Sequence, residues 1–327
     1  MATAVSDEAW VQAMLDVEAA LGGEPLSASE IDIPELGAEA AEHASPVVPL
    51  ARRFAQTHAG ATSQDIIDTA MMLVARRALA PLLADACAAA DAAAGLAELH
   101  RDTRLMGRTL LQDAVPTSFG LVVAGWMTGI DEACAELRAL PLAVQMGGPV
   151  GHRDPAGAAD VARRLGLAEP VLPWHTDRVR PARLACALGL LSGALAKVAR
   201  DVTLSTHVRE GDPDPAHPRG GSSAMAHKRN PVASVSVLAC TRRTPGLVAT
   251  MLACMEQERE RAAGAWQAEW GTITELLRLT GSAAAWARDL LEHLEVDVAG
   301  LQDGDSEDPD LGASHVLIDR ALQAHRA

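Results

Sequence analysis

Aromatic side chains are scarce in this chain of 327 residues: they make up 2% of it, with six Trp, two Phe and no Tyr. β-Sandwiches and β-barrels normally carry aromatic and β-branched residues on their pleated faces, so the composition argues against both. Alternation of polar and apolar residues, the pattern of a half-buried strand, is absent throughout. Hydrophobic residues still make up 49% of the chain, mostly Ala, Leu and Val, and the sequence therefore predicts an all-α protein of long helices.

Motifs for metals and cofactors are missing as well. The five cysteines stand far apart, without the CxxC spacing of a zinc site, so neither a metal site nor a disulfide framework is predicted. No phosphate-binding glycine loop and no dinucleotide fingerprint occurs in the sequence. We therefore expect no metal and no cofactor.

Uninterrupted apolar runs are short. The longest, near 118–130 and 184–196, fall below the roughly 18 residues of a membrane span. The start of the chain, MATAVSDEAW, lacks the basic and apolar regions of a signal peptide. We expect a cytoplasmic protein without a membrane partner.

Positive charge is in short supply. The chain has 28 Lys and Arg residues against 43 Asp and Glu residues, a formal net charge of −15. A nucleic-acid-binding surface would need a local basic stripe against that field, and none is visible, so we expect no nucleic-acid partner. The net negative charge is still compatible with a small anionic substrate, because a single pocket can be locally cationic.

Helical periodicity dominates what remains. Ser6 is a good N-cap for the first helix, and prolines at 81 and 245 should kink or break two others. Helical stretches are predicted over 7–21, 64–100, 117–139, 182–208, 231–258, 270–294 and 311–324.

Gly, Pro and acidic residues mark the connections between these stretches. Residues 22–49 should form loops and short helices, 147–173 a connector, 209–221 an irregular loop and 302–310 a solvated acidic linker. We divide the chain into a small N-terminal helical region (1–56), a central helical bundle (57–294) and an abbreviated C-terminal region (295–327).

The most informative segment is GGSSAMAHKRNP at residues 220–231, called the signature loop below. Its glycines allow the backbone to approach a ligand, its serines offer hydroxyls, and Lys228 offers positive charge. Asn230 and Pro231 suit the N-cap and first position of a helix, and a helix N-terminus beside cations favours an anion. On composition alone, a basic loop that merely caps a helix fits equally well.

The signature loop resembles the GSSxMPxKxNP signature of the fumarase/aspartase superfamily. HAGATSQD (58–65, the first block) and GRTLLQDAVPTSFG (107–120, the second block) resemble two further blocks of that superfamily. Within it, PWHTDR (173–178) and GAWQAEW (264–270) are similar to the branch of bacterial 3-carboxy-cis,cis-muconate cycloisomerases.

The resemblance implies an all-α fold whose central helices associate as a homotetramer, with each active site built from three subunits. It implies a small di- or tricarboxylate substrate and a reversible addition or elimination beside a carboxylate. Ser222 would be the catalytic base, and Lys228 and Asn230 would stabilise the carboxylate that gathers charge. The implied substrate-binding residues are His58, Thr62, Ser63, Gln64, Arg108, Thr109, Gln112, Ser223 and Met225.

Leu110 bears on the choice of reaction. Superfamily members that expel amines or hydroxide commonly carry His at this position, because a poor leaving group needs a general acid. A carboxylate, with a pKa of about 4, leaves without one. Leu110 therefore favours the cycloisomerase reaction, which forms 4-carboxymuconolactone in the protocatechuate branch of the β-ketoadipate pathway.

Two alternatives remain open. Nitrosuccinate lyases resemble the same branch, and nitrite is an equally weak base, so Leu110 does not separate the two activities; another succinate-type C–N lyase of the superfamily also fits. A catalytically silent homologue is the other alternative, since Ala226, Arg259 and Asp113 depart from the usual wording. Asp113 in particular puts a carboxylate near an anionic substrate unless it is paired.

Overall fold

A computed structural model describes residues 2–22, 25–53, 58, 60–214, 216–301 and 311–327. The helices are α1 Asp7–Ala20, α2 Ile33–His43, α3 Val47–Arg53, α4 Ser63–Leu99, α5 Phe119–Arg138, α6 Pro155–Leu165, α7 Val179–Leu204, α8 Val232–Thr241, α9 Thr244–Ala253, α10 Ala265–Glu292, α11 Val298–Leu301 and α12 Ser314–His325. Short 3-10 helices cover Ala2–Val5 and Ala28–Glu30. The predicted all-α class is confirmed.

The expectation that strands are absent is wrong. β1 (Arg104–Thr109) and β2 (Gln112–Ser118) form an antiparallel hairpin, and β3 (Val208–Glu210) pairs with β4 (Leu294–Val296). The hairpin is mostly exposed on both faces, so no apolar alternation marks it in the sequence. The predicted helix from residue 117 accordingly begins at Phe119, after β2 ends.

Proline acts differently in the two helices where we expected a break. α4 runs through Pro81 as one helix of 37 residues, so the predicted interruption is absent and the kink stays a prediction. The break near Pro245 is confirmed, since α8 ends at Thr241 and α9 starts at Thr244. Pro245 thereby falls in the first turn of α9, where a helix tolerates a missing N–H.

The connector predicted over 147–173 contains a helix that we missed. The side chain of Asp154 accepts a hydrogen bond from the Ala156 N–H, Pro155 opens α6, and Gly166 ends it at φ 64°. These are ordinary start and stop signals of a helix. Pro155 and Gly157 lie in its first turn and Gly166 lies at its end, and these residues made the segment resemble a loop. The predicted linker 302–310 lies outside the described residues.

The chain divides into two compact units that interleave along the sequence. The first unit comprises Met1–Pro81, Ala139–Leu188 and Pro245–Arg278, and the second comprises Leu82–Arg138, Gly189–Thr244 and Leu279–Ala327. In the second unit, α4 buries Ala86, Ala90, Ala93 and Ala97 at helical spacing, and these small side chains let neighbouring helices approach closely. The predicted division into 1–56, 57–294 and 295–327 stays a prediction.

By length and hydropathy alone, α4 and α7 are apolar enough to cross a membrane, with mean hydropathies of 1.4 and 1.5. The sequence prediction counted uninterrupted apolar runs and did not find them. Core helices of soluble proteins reach the same values, and α4 buries the carboxylates of Asp65 and Asp68 against other parts of the chain. The absence of a membrane partner stays a prediction.

Candidate active site

Asp65 holds the first block rigidly at the start of α4. Its carboxylate is fully buried and accepts four hydrogen bonds. The donors are the backbone N–H groups of Thr62 (3.1 Å), Gly147 (2.9 Å) and Gly148 (2.8 Å) and the side chain of Gln145 (3.1 Å). The charge is thus satisfied by dipoles, and the loop at 145–148 is tied to the first block.

His58 and Glu18 form an ion pair next to this frame. His58 Nδ1 donates to Glu18 Oε1 at 2.8 Å, and the Glu18 side chain is 2% exposed. This hydrogen bond raises the pKa of His58 above its usual value, although partial burial opposes it. A His58 that favours its protonated form suits the predicted role beside an anionic substrate.

The other predicted residues of the first block differ in their surroundings. Thr62 Oγ1 accepts a hydrogen bond from Arg261 Nη2 at 2.7 Å, and Ser63 is half-buried at the first position of α4. Gln64 is fully buried and donates to the His175 carbonyl (2.7 Å) and to Asp68 (3.0 Å). The structure therefore gives Gln64 a packing contact, and its predicted contact with substrate stays a prediction.

A buried ionic network that sequence reasoning missed lies behind the first block. Arg178 is 1% exposed and binds Asp68 (2.7 Å) and Glu269 (3.0 Å), with Trp174 stacked 4.9 Å from its guanidinium. Burial acts to lower the pKa of Arg178, but the two carboxylates outweigh it and raise the pKa. Burial raises the pKa of Glu269, with Arg178 opposing the rise. Two segments of the sequence could have indicated this network, because PWHTDR (173–178) ends in Arg178 and GAWQAEW (264–270) contains Glu269.

The second block forms the exposed end of the β1–β2 hairpin. Arg108 and Thr109 end β1, Gln112 begins β2, and Arg108 Nε binds Asp113 at 2.9 Å. Asp113 is therefore paired, which answers the concern that its charge would oppose an anionic substrate. The Nε of Arg108 is therefore already bound to Asp113 in the same hairpin.

The turn of this hairpin is unusual. Leu110 and Leu111 have φ values of 50° and 65°, and they are 97% and 73% exposed. Two-residue turns of this kind favour Asn-Gly, because a side chain in the left-handed region costs about 1–2 kcal/mol. The chain thus keeps two strained, solvent-facing leucines at the point where the resemblance places substrate contacts.

The signature loop closes on itself around Gly220. Asn230 donates to the Gly220 carbonyl from its backbone (2.8 Å) and its side chain (3.0 Å), and Gly220 has φ 73°. A Cβ added at Gly220 would lie 2.2 Å from the Asn230 carbonyl oxygen, so only glycine fits. Asn230 is therefore placed by the first residue of its own loop.

Within this loop, Ser222 Oγ accepts hydrogen bonds from the backbone N–H groups of Ala224 (3.3 Å) and Met225 (3.2 Å). Donors aimed at an oxygen favour its negatively charged form, as a serine base requires. Ser222 is half-buried, whereas Ser223, Met225 and Lys228 are exposed. Across the described residues, the Lys228 side chain makes no hydrogen bond to Ser222; only its backbone is held, by the Met225 carbonyl at 3.1 Å.

The predicted anion site at the start of α8 is wrong in two respects. α8 begins at Val232 with Pro231 as its N-cap, so Asn230 does not cap the helix. The free N–H groups of Ala233 and Ser234 instead donate to the Glu210 carboxylate, at 2.9 and 2.6 Å. This carboxylate, supplied by β3, already fills the position that a substrate anion would take.

Among the described residues, the second block and the signature loop are not joined by hydrogen bonds or ion pairs. The first block lies in the first unit, and the second block and signature loop lie in the second. In the part of the chain that is described, no hydrogen bond or ion pair links Arg108, Thr109 or Gln112 to Ser222, Lys228 or Asn230. The described residues also include no group of three or more His, Cys, Asp or Glu that could hold a metal ion.

Comparison with known proteins agrees with this set of blocks. A family model described as Lyase matches residues 50–246. The 3-carboxy-cis,cis-muconate cycloisomerase of Pseudomonas aeruginosa is 40% identical over 97% of this chain and 77% of its own length. The nitrosuccinate lyase of Streptomyces davaonensis is 39% identical over 90% of this chain and 72% of its own.

A solved structure extends the likeness to the fold. The 3-carboxy-cis,cis-muconate lactonizing enzyme from Pseudomonas putida superposes with a TM-score of 0.88 at 30% identity, covering 98% of this chain and 95% of that one. The long helices and the hairpin thus follow an architecture already seen in an enzyme of this kind. The chain belongs to the lyase family and, as the three blocks predicted, to the fumarase/aspartase superfamily.

Proposed function

We propose that this protein is a cycloisomerase that interconverts 3-carboxy-cis,cis-muconate and 4-carboxymuconolactone, with Ser222 as the proton-transferring residue. The observation that carries the proposal is the hydrogen bonding of Ser222 Oγ to two backbone N–H groups in a loop closed by Asn230. Relatives with this activity that span nearly the whole chain support the choice of substrate.

The chemistry follows from the loop. In the direction of lactone opening, Ser222 takes the proton on the carbon next to a carboxylate, and the ring C–O bond breaks. The ring oxygen leaves as part of a carboxylate, so no acid is needed at its departure. In the direction of lactone formation, a carboxylate oxygen adds to the double bond and Ser222 returns the proton. Lys228 and Asn230 stabilise the charge on the carboxylate beside the reacting carbon.

Elimination of nitrite from nitrosuccinate is the second candidate. The relative with that activity is 39% identical over 90% of this chain, whereas two cycloisomerases are 38% and 40% identical over 97% of it. Its leaving group is also a weak base, so the same Ser222 chemistry and the apolar Leu110 serve it. Substrate tests, rather than the described geometry, separate the two.

The assembly and location belong to the same proposal. We propose a cytoplasmic homotetramer in which the three blocks come from different subunits, without membrane or nucleic-acid partners and in the protocatechuate branch of aromatic degradation. Two observations support shared sites: no hydrogen bond or ion pair among the described residues links the second block to the signature loop, and the Leu110–Leu111 turn is exposed. Light scattering during size-exclusion chromatography tests the tetramer, and a monomer at working concentration would contradict it.

The activity is tested by mixing purified protein with 3-carboxy-cis,cis-muconate and following the loss of conjugated-diene absorbance. Ser223→Ala is the matched control for Ser222→Ala, because both serines lie in the signature loop and only Ser222 accepts the two backbone bonds. We expect turnover by wild type, strong loss in Ser222→Ala and a smaller loss in Ser223→Ala. Nitrite release from nitrosuccinate without diene loss would favour the second candidate, and a folded tetramer inert to both would indicate a silent homologue.

A further inference from the structure

Arg153 lies directly against the first block, although nothing in the sequence drew attention to it. A Cβ added at Gly60 would lie 4.0 Å from the Arg153 Cζ, and one added at Gly157 would lie 3.6 Å from its Nε. The guanidinium thus lies within van der Waals reach of both glycines, one of them in the first block. The Arg153 backbone N–H is fixed on the Gly147 carbonyl at 3.1 Å, in the loop that Asp65 holds.

The Arg153 guanidinium is incompletely satisfied. Its Nη1 is buried and has no hydrogen-bond partner, and no carboxylate of the described residues forms an ion pair with it. Buried donors are nearly always paired, because an unpaired one costs free energy. The nearby carboxylates are engaged elsewhere: Asp65 accepts four hydrogen bonds, and Glu18 is held by His58.

A second guanidinium reaches the same segment from another part of the first unit. Arg261 Nη2 donates to Thr62 Oγ1 at 2.7 Å, two residues beyond Gly60. Like Arg153, it has no ion pair within the described residues. His58, at the beginning of the block, is already paired with Glu18, which raises the pKa of the histidine, so this pair offers no unmatched charge to a ligand. Arg153 and Arg261 therefore lie against one segment without a carboxylate partner among the described residues, and a bound anion would supply the missing counter-charge.

We infer that Arg153 and Arg261 form a carboxylate subsite on the first block, and that Arg153 selects for a substrate carrying a third carboxylate. The inference rests on the proposed function for the identity of the substrate, but the subsite itself is an anion-binding feature of this chain. Arginine is suited to the role, because its planar fork binds a carboxylate through two parallel hydrogen bonds. Arg153 is accordingly a binding residue, and Ser222 chemistry does not depend on it.

The test measures binding without turnover. Titration calorimetry compares tricarballylate, an unreactive tricarboxylate, with glutarate, a dicarboxylate of similar length, on wild type, Arg153→Gln, Arg153→Lys and Arg261→Gln. Arg164→Gln is the matched control, because Arg164 lies on α6, the helix that begins two residues after Arg153, and is exposed and paired with Asp160. Melting temperatures establish that each variant is folded.

We expect Arg153→Gln to weaken tricarballylate binding about tenfold, the size of one lost charged hydrogen bond, and to change glutarate binding about twofold or less. Arg153→Lys should restore part of the loss, Arg261→Gln should weaken both ligands, and Arg164→Gln should change neither. Equal binding of tricarballylate by wild type and Arg153→Gln would overturn the inference, and so would a wild type that does not bind it.

Activity assays on the same proteins separate this inference from the proposed function. If tricarballylate binding depends on Arg153 but 3-carboxy-cis,cis-muconate is not turned over, the subsite stands and the proposed substrate falls. If turnover is present and Arg153→Gln leaves KM unchanged, the cycloisomerase stands and the subsite falls. A rise in KM with kcat nearly preserved is the expected outcome, because the contact is made equally in the ground and transition states.

Discussion

The first block and the signature loop differ in how the chain holds them. The first block sits on buried charges that are fully engaged, with Asp65 accepting four hydrogen bonds and Arg178 clamped between Asp68 and Glu269. The signature loop is largely exposed and is held by a few bonds of its own, from Asn230 to Gly220 and from backbone N–H groups to Ser222. The binding residues of the first block thus lie on a rigid frame, while the base lies on a segment with few restraints.

This difference fits the division of labour in the proposed reaction. A site that recognises carboxylates gains from preorganised cations, because little entropy is lost when the ligand binds. A loop that carries the base has to admit the substrate and then surround it, which calls for weaker restraints. Substitutions in the first block should therefore act mainly on stability or affinity, and substitutions in the signature loop mainly on turnover.

Breaking the buried network should have the largest effect on stability. Arg178→Gln leaves Asp68 and Glu269 facing each other without a counter-ion, and we expect a loss of about 3–5 kcal/mol in unfolding free energy. Chemical denaturation measures it, with Arg183→Gln as control because Arg183 is exposed on α7, which begins directly after Arg178. A loss below about 1 kcal/mol, the range of surface ion pairs, would show that the network does not hold the first block.

Gly220→Ala should lower turnover strongly and stability only slightly, the opposite of what we expect for Arg178→Gln. Its Cβ would clash with Asn230 and displace the signature loop, and we expect turnover to fall about a hundredfold, the scale of one lost transition-state contact. Unfolding free energy should change much less, because the loop is exposed. Gly246→Ala is the control, since an added Cβ there meets nothing within 4 Å. Normal kcat in Gly220→Ala would mean that closure on Gly220 does not position the loop.

The hairpin turn offers an intermediate test. Replacing Leu110–Leu111 with Asn-Gly relieves two left-handed leucines, and we expect unfolding free energy to rise by about 1 kcal/mol. Turnover should fall, because the proposed reaction uses an apolar side chain at residue 110. Lower stability together with dissociation on size-exclusion chromatography would show that the leucines are held by another subunit, and their strain would then have a different cause.

The smallest effect concerns pH. Glu18 raises the pKa of His58 in the folded protein. The pair therefore stabilises the folded state fully at pH values below the pKa of His58 in the unfolded chain, about 6.5. This contribution to the unfolding free energy is lost as the pH rises through the folded-state pKa. The unfolding free energy of wild type should therefore drop between about pH 6 and pH 8 by up to about 1 kcal/mol more than that of His58→Gln. His152→Gln, a change at an exposed histidine, should leave the wild-type slope. If the unfolding free energy of His58→Gln changes with pH as that of wild type does, the His58–Glu18 pair is not the source of the change.

The sequence predicted what depends on local signals. Ser6 caps α1 through the Ala9 N–H as expected, and the long helices follow from apolar periodicity. The cap of α8 could not be predicted, because Glu210 comes from a strand more than twenty residues earlier and only folding brings it there. Arg178 illustrates the same limit: its burial depends on Asp68 and Glu269, which lie 110 and 91 residues away along the chain.

The same distinction applies to the candidate site. Ser222, Lys228 and Asn230 are adjacent in sequence, so one motif was enough to indicate all three. Arg153 lies in no motif and Arg261 was not singled out, and their approach to Gly60 and Thr62 emerges only from long-range packing. The hairpin was hidden for a further reason, since an exposed turn of two leucines contradicts the usual preference for Asn-Gly.

Proton transfer at Ser222 is the central claim, and isotope incorporation tests it most directly. Wild type, Ser222→Ala and Ser223→Ala are each incubated with 4-carboxymuconolactone in D2O, and NMR follows the proton on the carbon next to the carboxylate. We predict that wild type exchanges this proton for deuterium, that Ser223→Ala exchanges it more slowly but measurably, and that folded, correctly assembled Ser222→Ala does not. Exchange at the wild-type rate in Ser222→Ala would contradict the assignment of the base.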